Sequence, residues 1–307
     1  MLAIVCPGQG SQTPGFLTEW LDVDGVPEHL QALSSITERD LTAHGTTSDE
    51  ETIKDTAVAQ PLIVAAGLVT ARALFGSSLP AGAVVAGHSV GEITASALAG
   101  ALDEADAMNF VKVRANAMAE AAAATPTGMA AVLGGDPDEV LAMLDELGLT
   151  PANANGGGQI VAAGTMEQLA ALGENPPAKA RVIPLKVAGA FHTAHMQPAV
   201  GILEELAGTI TPKEPAETLL SNFDGKAVAD GQANLDSLVA QVSRPVRWDL
   251  CMQTLAEAGV TGVLELAPAG TLVGLARRGL KGVKTLAVKS PADLEAAKAF
   301  IAEHTAN

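Results

Sequence analysis

The chain has 307 residues, a formal net charge of -17, 48% hydrophobic residues and 3% aromatic ones, with no Tyr. That length suffices for one large core with a smaller inserted unit. The acidic balance and the scarcity of aromatics argue against nucleic acid, which needs clustered cations or stacking platforms. The acidic excess falls almost wholly in residues 1–150, so a surface attractive to an acidic partner is expected in the second half.

The first apolar run, residues 2–6, stops at Pro7-Gly8 and reads as a buried strand. The amino end carries no basic region, so no signal peptide is expected. The most apolar stretch, residues 61–75, is shorter than a membrane span and contains Arg72. It reads as a buried helix with Pro61 in its first turn, and no membrane is expected. Residues 83–86 form a second short strand, followed by Gly87-His88-Ser89-Val90-Gly91 and a helix to Ala99, closed by Gly100. Helix continues, with an interruption, through residues 104–124. Strands alternating with helices predict an α/β fold with a parallel sheet.

Between residues 126 and 188 the rhythm changes. Residues 128–133 read as a strand, and Asp136-Pro137 starts a helix to Leu147. Two strands flank a connection at 153–158, the second being 159–163. Thr165 and Gln168 make a capping-box pattern for another helix, and 180–187 form a last strand. Strand-helix-strand-strand-helix-strand is the order of a ferredoxin-like unit. The expected division is a main domain from 1–125 and 189–307, interrupted by a small subdomain at 126–188. Residues 222–234 read as an exposed connection. Cys6 and Cys251 form no motif and read as buried thiols of a cytoplasmic protein.

The sharpest chemical signal is Gly87-His88-Ser89-Val90-Gly91 between a strand and a helix. Gly-x-Ser-x-Gly in that context is a nucleophile elbow, a sharp turn that exposes a serine hydroxyl at the positive end of a helix. Such a hydroxyl needs a base. His29, His44 and His304 lie in polar or terminal segments and read as surface residues. His88 neighbours Ser89 and reads as structural. That leaves His192 and His195, in Gly189-Ala190-Phe191-His192-Thr193-Ala194-His195, one of which is the expected base. No acid between Ser89 and His192 follows a strand, so a main-chain group is the alternative orienter of the imidazole. Taken alone, Arg114 reads as solvated charge on a helix. The turn Gly8-Gln9-Gly10-Ser11-Gln12 reads equally as an oxyanion site or as a plain turn. No metal-ligand cluster is evident.

Together these residues resemble the malonyl-CoA:acyl carrier protein transacylase family and the acyltransferase domains of polyketide synthases. The likeness is carried by Pro7-Gly8-Gln9-Gly10-Ser11-Gln12, by Gly87-His88-Ser89-Val90-Gly91-Glu92, by Arg114 beyond the elbow, and by Gly189-Ala190-Phe191-His192. It implies an α/β-hydrolase-like core with Ser89 as the acyl-accepting nucleophile and His192 as base and acid. The N–H groups of Gln9 and Val90 would form the oxyanion hole. Arg114 would grip the malonyl carboxylate, Met118 would line the acyl pocket, and the Gln241 carbonyl would orient His192. Phe191, preceding that histidine, implies malonyl rather than methylmalonyl. The chain departs from the family pattern at Ala267-Pro268-Ala269, where Gly-Pro-Gly is usual, and at His195, which the pattern leaves without a role.

The implied reaction is ping-pong transfer of malonyl from malonyl-CoA to the phosphopantetheine thiol of acyl carrier protein, for fatty-acid synthesis. CoA is then a substrate and no cofactor is expected; nothing requires more than a monomer. A serine hydrolase or thioesterase would share the elbow, and a stand-alone polyketide acyltransferase would share the chemistry.

Overall fold

The segment Leu2–Cys6 has no polar side chain on either face. In the computed structural model, which describes residues 1–305, it is the middle strand of a parallel sheet. In chain order the strands are β1 Leu2–Cys6, β2 Val84–Gly87, β3 Thr127–Gly134, β4 Thr150–Gly156, β5 Gln159–Thr165, β6 Ala180–Pro184, β7 Thr218–Leu220, β8 Val246–Arg247, β9 Gly262–Glu265 and β10 Lys284–Ala287. The first sheet runs β10-β9-β1-β2-β7 with every pairing parallel. Leu2, Ile4 and Cys6 enter one hydrophobic layer, while Ala3 and Val5 enter the other. Both faces are thus covered, which is why the strand is apolar throughout rather than alternating.

Helix Thr56–Phe75 fills much of the larger layer. It begins well before Pro61, because Asp55 caps it by accepting from the Ala57 N–H at 2.7 Å. Pro61 therefore sits inside the helix and not in its first turn. At 20 residues with a mean hydropathy of 1.6, the helix is long and apolar enough to cross a membrane. Length therefore does not exclude a membrane span, and what marks it as a core helix is that most of it is buried against other elements. The next two helices are Gly91–Leu98 and Glu104–Ala124.

The second sheet runs β6-β3-β5-β4-β8. Its first four strands pair antiparallel, with helices Pro137–Glu146 and Met166–Glu174 between them in the expected order. Asp136 accepts from the N–H groups of Asp138 and Glu139, and Thr165 and Gln168 form the full capping box. The expected connection at 153–158 is shorter. β4 runs to Gly156, and Gly156, Gly157 and Gly158, all with positive φ, make the turn. β6 stops at Pro184, short of residue 187. β8 joins the edge in parallel, with Asn153 opposite Val246, and so ties this sheet to a distant part of the chain.

Three surface assignments change. Asn222 and Asn234 are buried, and a helix starts at Gly231 inside the segment read as an exposed connection. His304 is buried and hydrogen-bonds Thr261 Oγ1 at 2.8 Å. The His29 ring contacts Glu104 at 2.7 Å with its side chain largely covered. Polar neighbours in sequence misled in each case, because burial was set by distant elements.

Candidate active site

β2 ends at Gly87, and the next helix starts at Gly91. A Cβ on Gly87 would lie 2.0 Å from the Gly91 carbonyl carbon, and one on Gly91 would lie 2.2 Å from the Cys6 carbonyl oxygen. Backbone meets backbone at both places, so neither glycine tolerates a side chain. Ser89, at the tip, has φ 52, a conformation that non-glycine residues adopt only when held. Asn222 holds it. Its Oδ1 accepts from the Ser89 N–H at 2.8 Å, and its Nδ2 donates to the Gly87 carbonyl at 2.7 Å. Gly91→Ala should destabilise the fold by about 2–3 kcal/mol, since rigid backbone must move. Gly201→Ala, in helix Gln197–Ala207 with no atom near its added methyl, should stabilise by about 0.5–1 kcal/mol. Denaturant midpoints check both, and equal effects would contradict the packing argument.

His192 also has positive φ, at 62, fixed by its N–H donating to the Val242 carbonyl at 3.1 Å. The ring's Nδ1 lies 2.9 Å from the Gln241 carbonyl, which only accepts, so Nδ1 carries the proton. Nε2 is then a free lone pair 2.7 Å from Ser89 Oγ. Of the two histidines left open by sequence, His192 is the one that reaches Ser89, while His195 is exposed three residues on. The main-chain carbonyl occupies the place an acid takes in a Ser-His-Asp triad.

Burial, and next the Arg114 charge, press the His192 pKa from the usual 6.5 down to about 3. Acylation should therefore keep its rate from pH 7 down to pH 5. A histidine of ordinary pKa would lose roughly 95% of its base form over that range. The sign for stability is the opposite of a salt-bridged histidine's. The unfolded chain binds the proton first, so stability is full above about pH 6.5 and falls as pH drops toward the folded value. Rapid measurement of CoA release against pH tests the rate, and a decline centred near 6.5 would contradict it.

Arg114 is 1% exposed and is not solvated charge. Its Nη1 donates to Gln60 Oε1 at 2.6 Å and its Nη2 to Gln241 Oε1 at 2.8 Å, with Ser89 Oγ at 3.4 Å from Nη2. Burial lowers its pKa to about 10, opposed by Glu92, so it stays a cation at neutral pH. Burial raises Glu92 to about 8, opposed by the Asn222 N–H and by Arg114. Met118, one turn beyond Arg114, meets Gln60 Nε2 at 3.5 Å. Gln9, Ser89, Met118, Phe191 and His192 line one cleft of about 650 Å³. Val90 is buried behind Ser89, and among the described residues the N–H groups of Gln9 and Val90 make no internal hydrogen bond. A Cβ on Gly8 would lie 2.7 Å from the His88 carbonyl oxygen, so the Gln9 turn runs against the elbow. Two free donors beside a serine hydroxyl suit a developing oxyanion.

Sequence reasoning missed Gln60, Glu92, Asn222 and Asn155. Asn155 Oδ1 accepts from His88 Nε2 at 2.8 Å and joins the second sheet to the elbow. Gln60 had a signal, as a lone polar residue entering the longest apolar run. Glu92 was disguised as an ordinary acid in a first helical turn, and Asn222 had no local signal. Among the described residues, no three His, Cys, Asp or Glu side chains gather as a metal site.

A serine with a paired histidine, free main-chain donors and a buried cation suits acyl transfer, and the acyl transferase domain family matches residues 3–300. A malonyl CoA-acyl carrier protein transacylase of Mycobacterium tuberculosis is 52% identical over 297 residues, covering 96% of this chain and 98% of that one. The crystal structure of MCAT from Mycobacterium tuberculosis superposes with a TM-score of 0.94, covering 97% of this chain and 99% of that one at 52% identity. A malonyl-transacylase solved in complex with a type II PKS acyl-carrier protein has a TM-score of 0.91 at 30% identity, covering 97% and 99%. The chain belongs to the malonyl CoA-acyl carrier protein transacylase family.

Proposed function

We propose that this chain moves a malonyl group from malonyl-CoA to the phosphopantetheine thiol of acyl carrier protein for fatty-acid synthesis, through a malonyl ester on Ser89. The observation that carries the reading is Ser89 Oγ lying between the His192 lone pair, at 2.7 Å, and the buried Arg114 guanidinium, at 3.4 Å.

Ser89 Oγ attacks the thioester carbonyl while its proton passes to His192 Nε2. The carbonyl oxygen takes the negative charge and is met by the N–H groups of Gln9 and Val90. Collapse expels the CoA thiolate, which receives the proton from His192. The carrier thiol repeats the sequence in reverse order, with His192 now removing its proton and returning it to Ser89. Arg114 takes the malonyl carboxylate in a charge-assisted fork, and Phe191 limits the room for a branched acyl group. Met118 lines the same cleft. CoA is a substrate, and the reading calls for no bound cofactor. A hydrolase would have no use for a buried cation in the acyl pocket. The malonyl-enzyme should therefore lose its acyl group far faster to holo carrier protein than to buffer; faster loss to water would favour a thioesterase.

The strand order β6-β3-β5-β4, which is fourth-first-third-second in the unit's own sequence, supports the ferredoxin-like reading of 126–188. The elbow after a parallel strand supports the hydrolase-like reading of 1–125 and 189–307. Two buried free cysteines suit a cytoplasmic protein, and the reading needs only a monomer.

For the carrier, Lys179, Arg181 and Lys186 with Arg277, Arg278, Lys281 and Lys284 are the cations that face an acidic partner. Lys186 lines the cleft, and Arg278 Nη2 lies 3.4 Å from Gln159, another cleft residue. Lys186 also lies 3.8 Å from Glu50, and Lys284 is paired with Glu303. Reversing Arg278 and Lys281 to Glu should raise the carrier's KM and weaken its salt dependence, with less effect on self-acylation by malonyl-CoA. If the CoA step suffers and the carrier's KM does not move, these cations serve CoA phosphates.

A further inference from the structure

Glu92 occupies the first turn of helix Gly91–Leu98, where an acid ordinarily faces solvent and the helix amides. Here it is 4% exposed. Its Oε1 accepts from the Asn222 N–H at 2.6 Å, and its Oε2 contacts Gln241 Nε2.

The directions of these bonds are forced. Arg114 has only donors, so the Gln241 amide must turn its oxygen toward Arg114 Nη2. Gln241 Nε2 then faces Glu92. The Asn222 N–H can only donate as well, so both carboxyl oxygens accept. A half-turn of the Gln241 amide would set NH₂ against guanidinium and amide oxygen against the accepting oxygen of Glu92, so Glu92 opposes that rotation.

Separation gives a second reason. Among the described residues Arg114 makes no direct ion pair, and its side-chain partners are the amides of Gln60 and Gln241. A carboxyl group in direct contact would fill the guanidinium fork and compete with an incoming carboxylate. One held behind an amide leaves the fork open.

We propose that Glu92 is a positioning residue for acyl selection, which locks the Gln241 amide with its oxygen toward Arg114 and leaves the guanidinium fork open for the incoming carboxylate. This rests on the reading of Arg114 as the site for the malonyl carboxylate.

Glu92→Gln keeps the shape but turns one accepting oxygen into a donor, opposed by either Asn222 N–H or Gln241 Nε2. Initial CoA release is measured with malonyl-CoA and with acetyl-CoA. The kcat/KM for malonyl-CoA should fall about ten- to a hundredfold, mainly through KM, the range for a buried donor left unmatched. That for acetyl-CoA should change far less. Equal losses for both donors would make Glu92 a general support of the fold and overturn the proposal, as would an unchanged preference. The exchange Glu92→Gln with Gln241→Glu restores the match between these two side chains but puts the carboxylate on Arg114, and it leaves an oxygen where Gln241 Nε2 meets the Ser89 carbonyl at 3.4 Å. It should recover part of the Tm and acetyl transfer lost by Gln241→Glu alone while still discriminating poorly for malonyl. A double variant no better than that single one contradicts the proposal. A wild-type enzyme without malonyl preference would overturn the Arg114 reading itself, and this inference with it.

Discussion

Ser89→Ala should give no malonyl-enzyme and no burst of CoA release, while circular dichroism and Tm stay close to wild type. The hydroxyl lies at the tip of a turn held by main-chain bonds and Asn222, so removing it leaves the supports of the elbow in place. His192→Ala should slow acylation by about 10²–10⁴-fold, the usual contribution of a positioned base. The His192 ring bridges Ser89 Oγ at 2.7 Å and the Gln241 carbonyl at 2.9 Å, so nothing else nearby is set to take the proton. His195→Ala serves as the control, since that residue is exposed. A comparable loss there would move the base assignment to the other histidine.

The second large effect is on acyl choice. Arg114→Ala should cost malonyl transfer about 2–5 kcal/mol, the range for breaking one side of a buried charged contact. Transfer of uncharged acetyl should be kept or improved, because the substrate then has no carboxylate to leave unmatched. Arg114→Lys should recover little, since an ammonium lacks the planar fork that takes a carboxylate through two parallel bonds while other N–H groups hold Gln60 and Gln241. Rates with the two CoA thioesters decide it, and parallel losses would make Arg114 a structural cation.

What could be read from the sequence was what is local. The elbow, the caps at Asp136 and Thr165, and the alternation of strand and helix each depend on residues a few positions apart, and each stands where expected. The start of helix Thr56–Phe75 was missed because Pro61 outweighed the Asp55 cap. Arg114 could not be separated from solvated charge by its own surroundings. Its neighbours in space are Gln60 and Gln241, 54 and 127 positions away, and only the family resemblance singled it out. Asn222 lies 133 positions from Ser89, in a stretch whose composition suggested an exposed loop. Where an acid would stand in a triad lies the Gln241 carbonyl, a group that every residue carries and that only the family resemblance marked.

The central claim is a malonyl ester on Ser89. Intact-mass spectrometry after brief exposure to malonyl-CoA, followed by peptide mapping, tests it most directly. The expected result is a gain of one malonyl group per chain, located on the peptide containing Ser89 and discharged by holo carrier protein. No mass gain, or an adduct on any other residue, would contradict it.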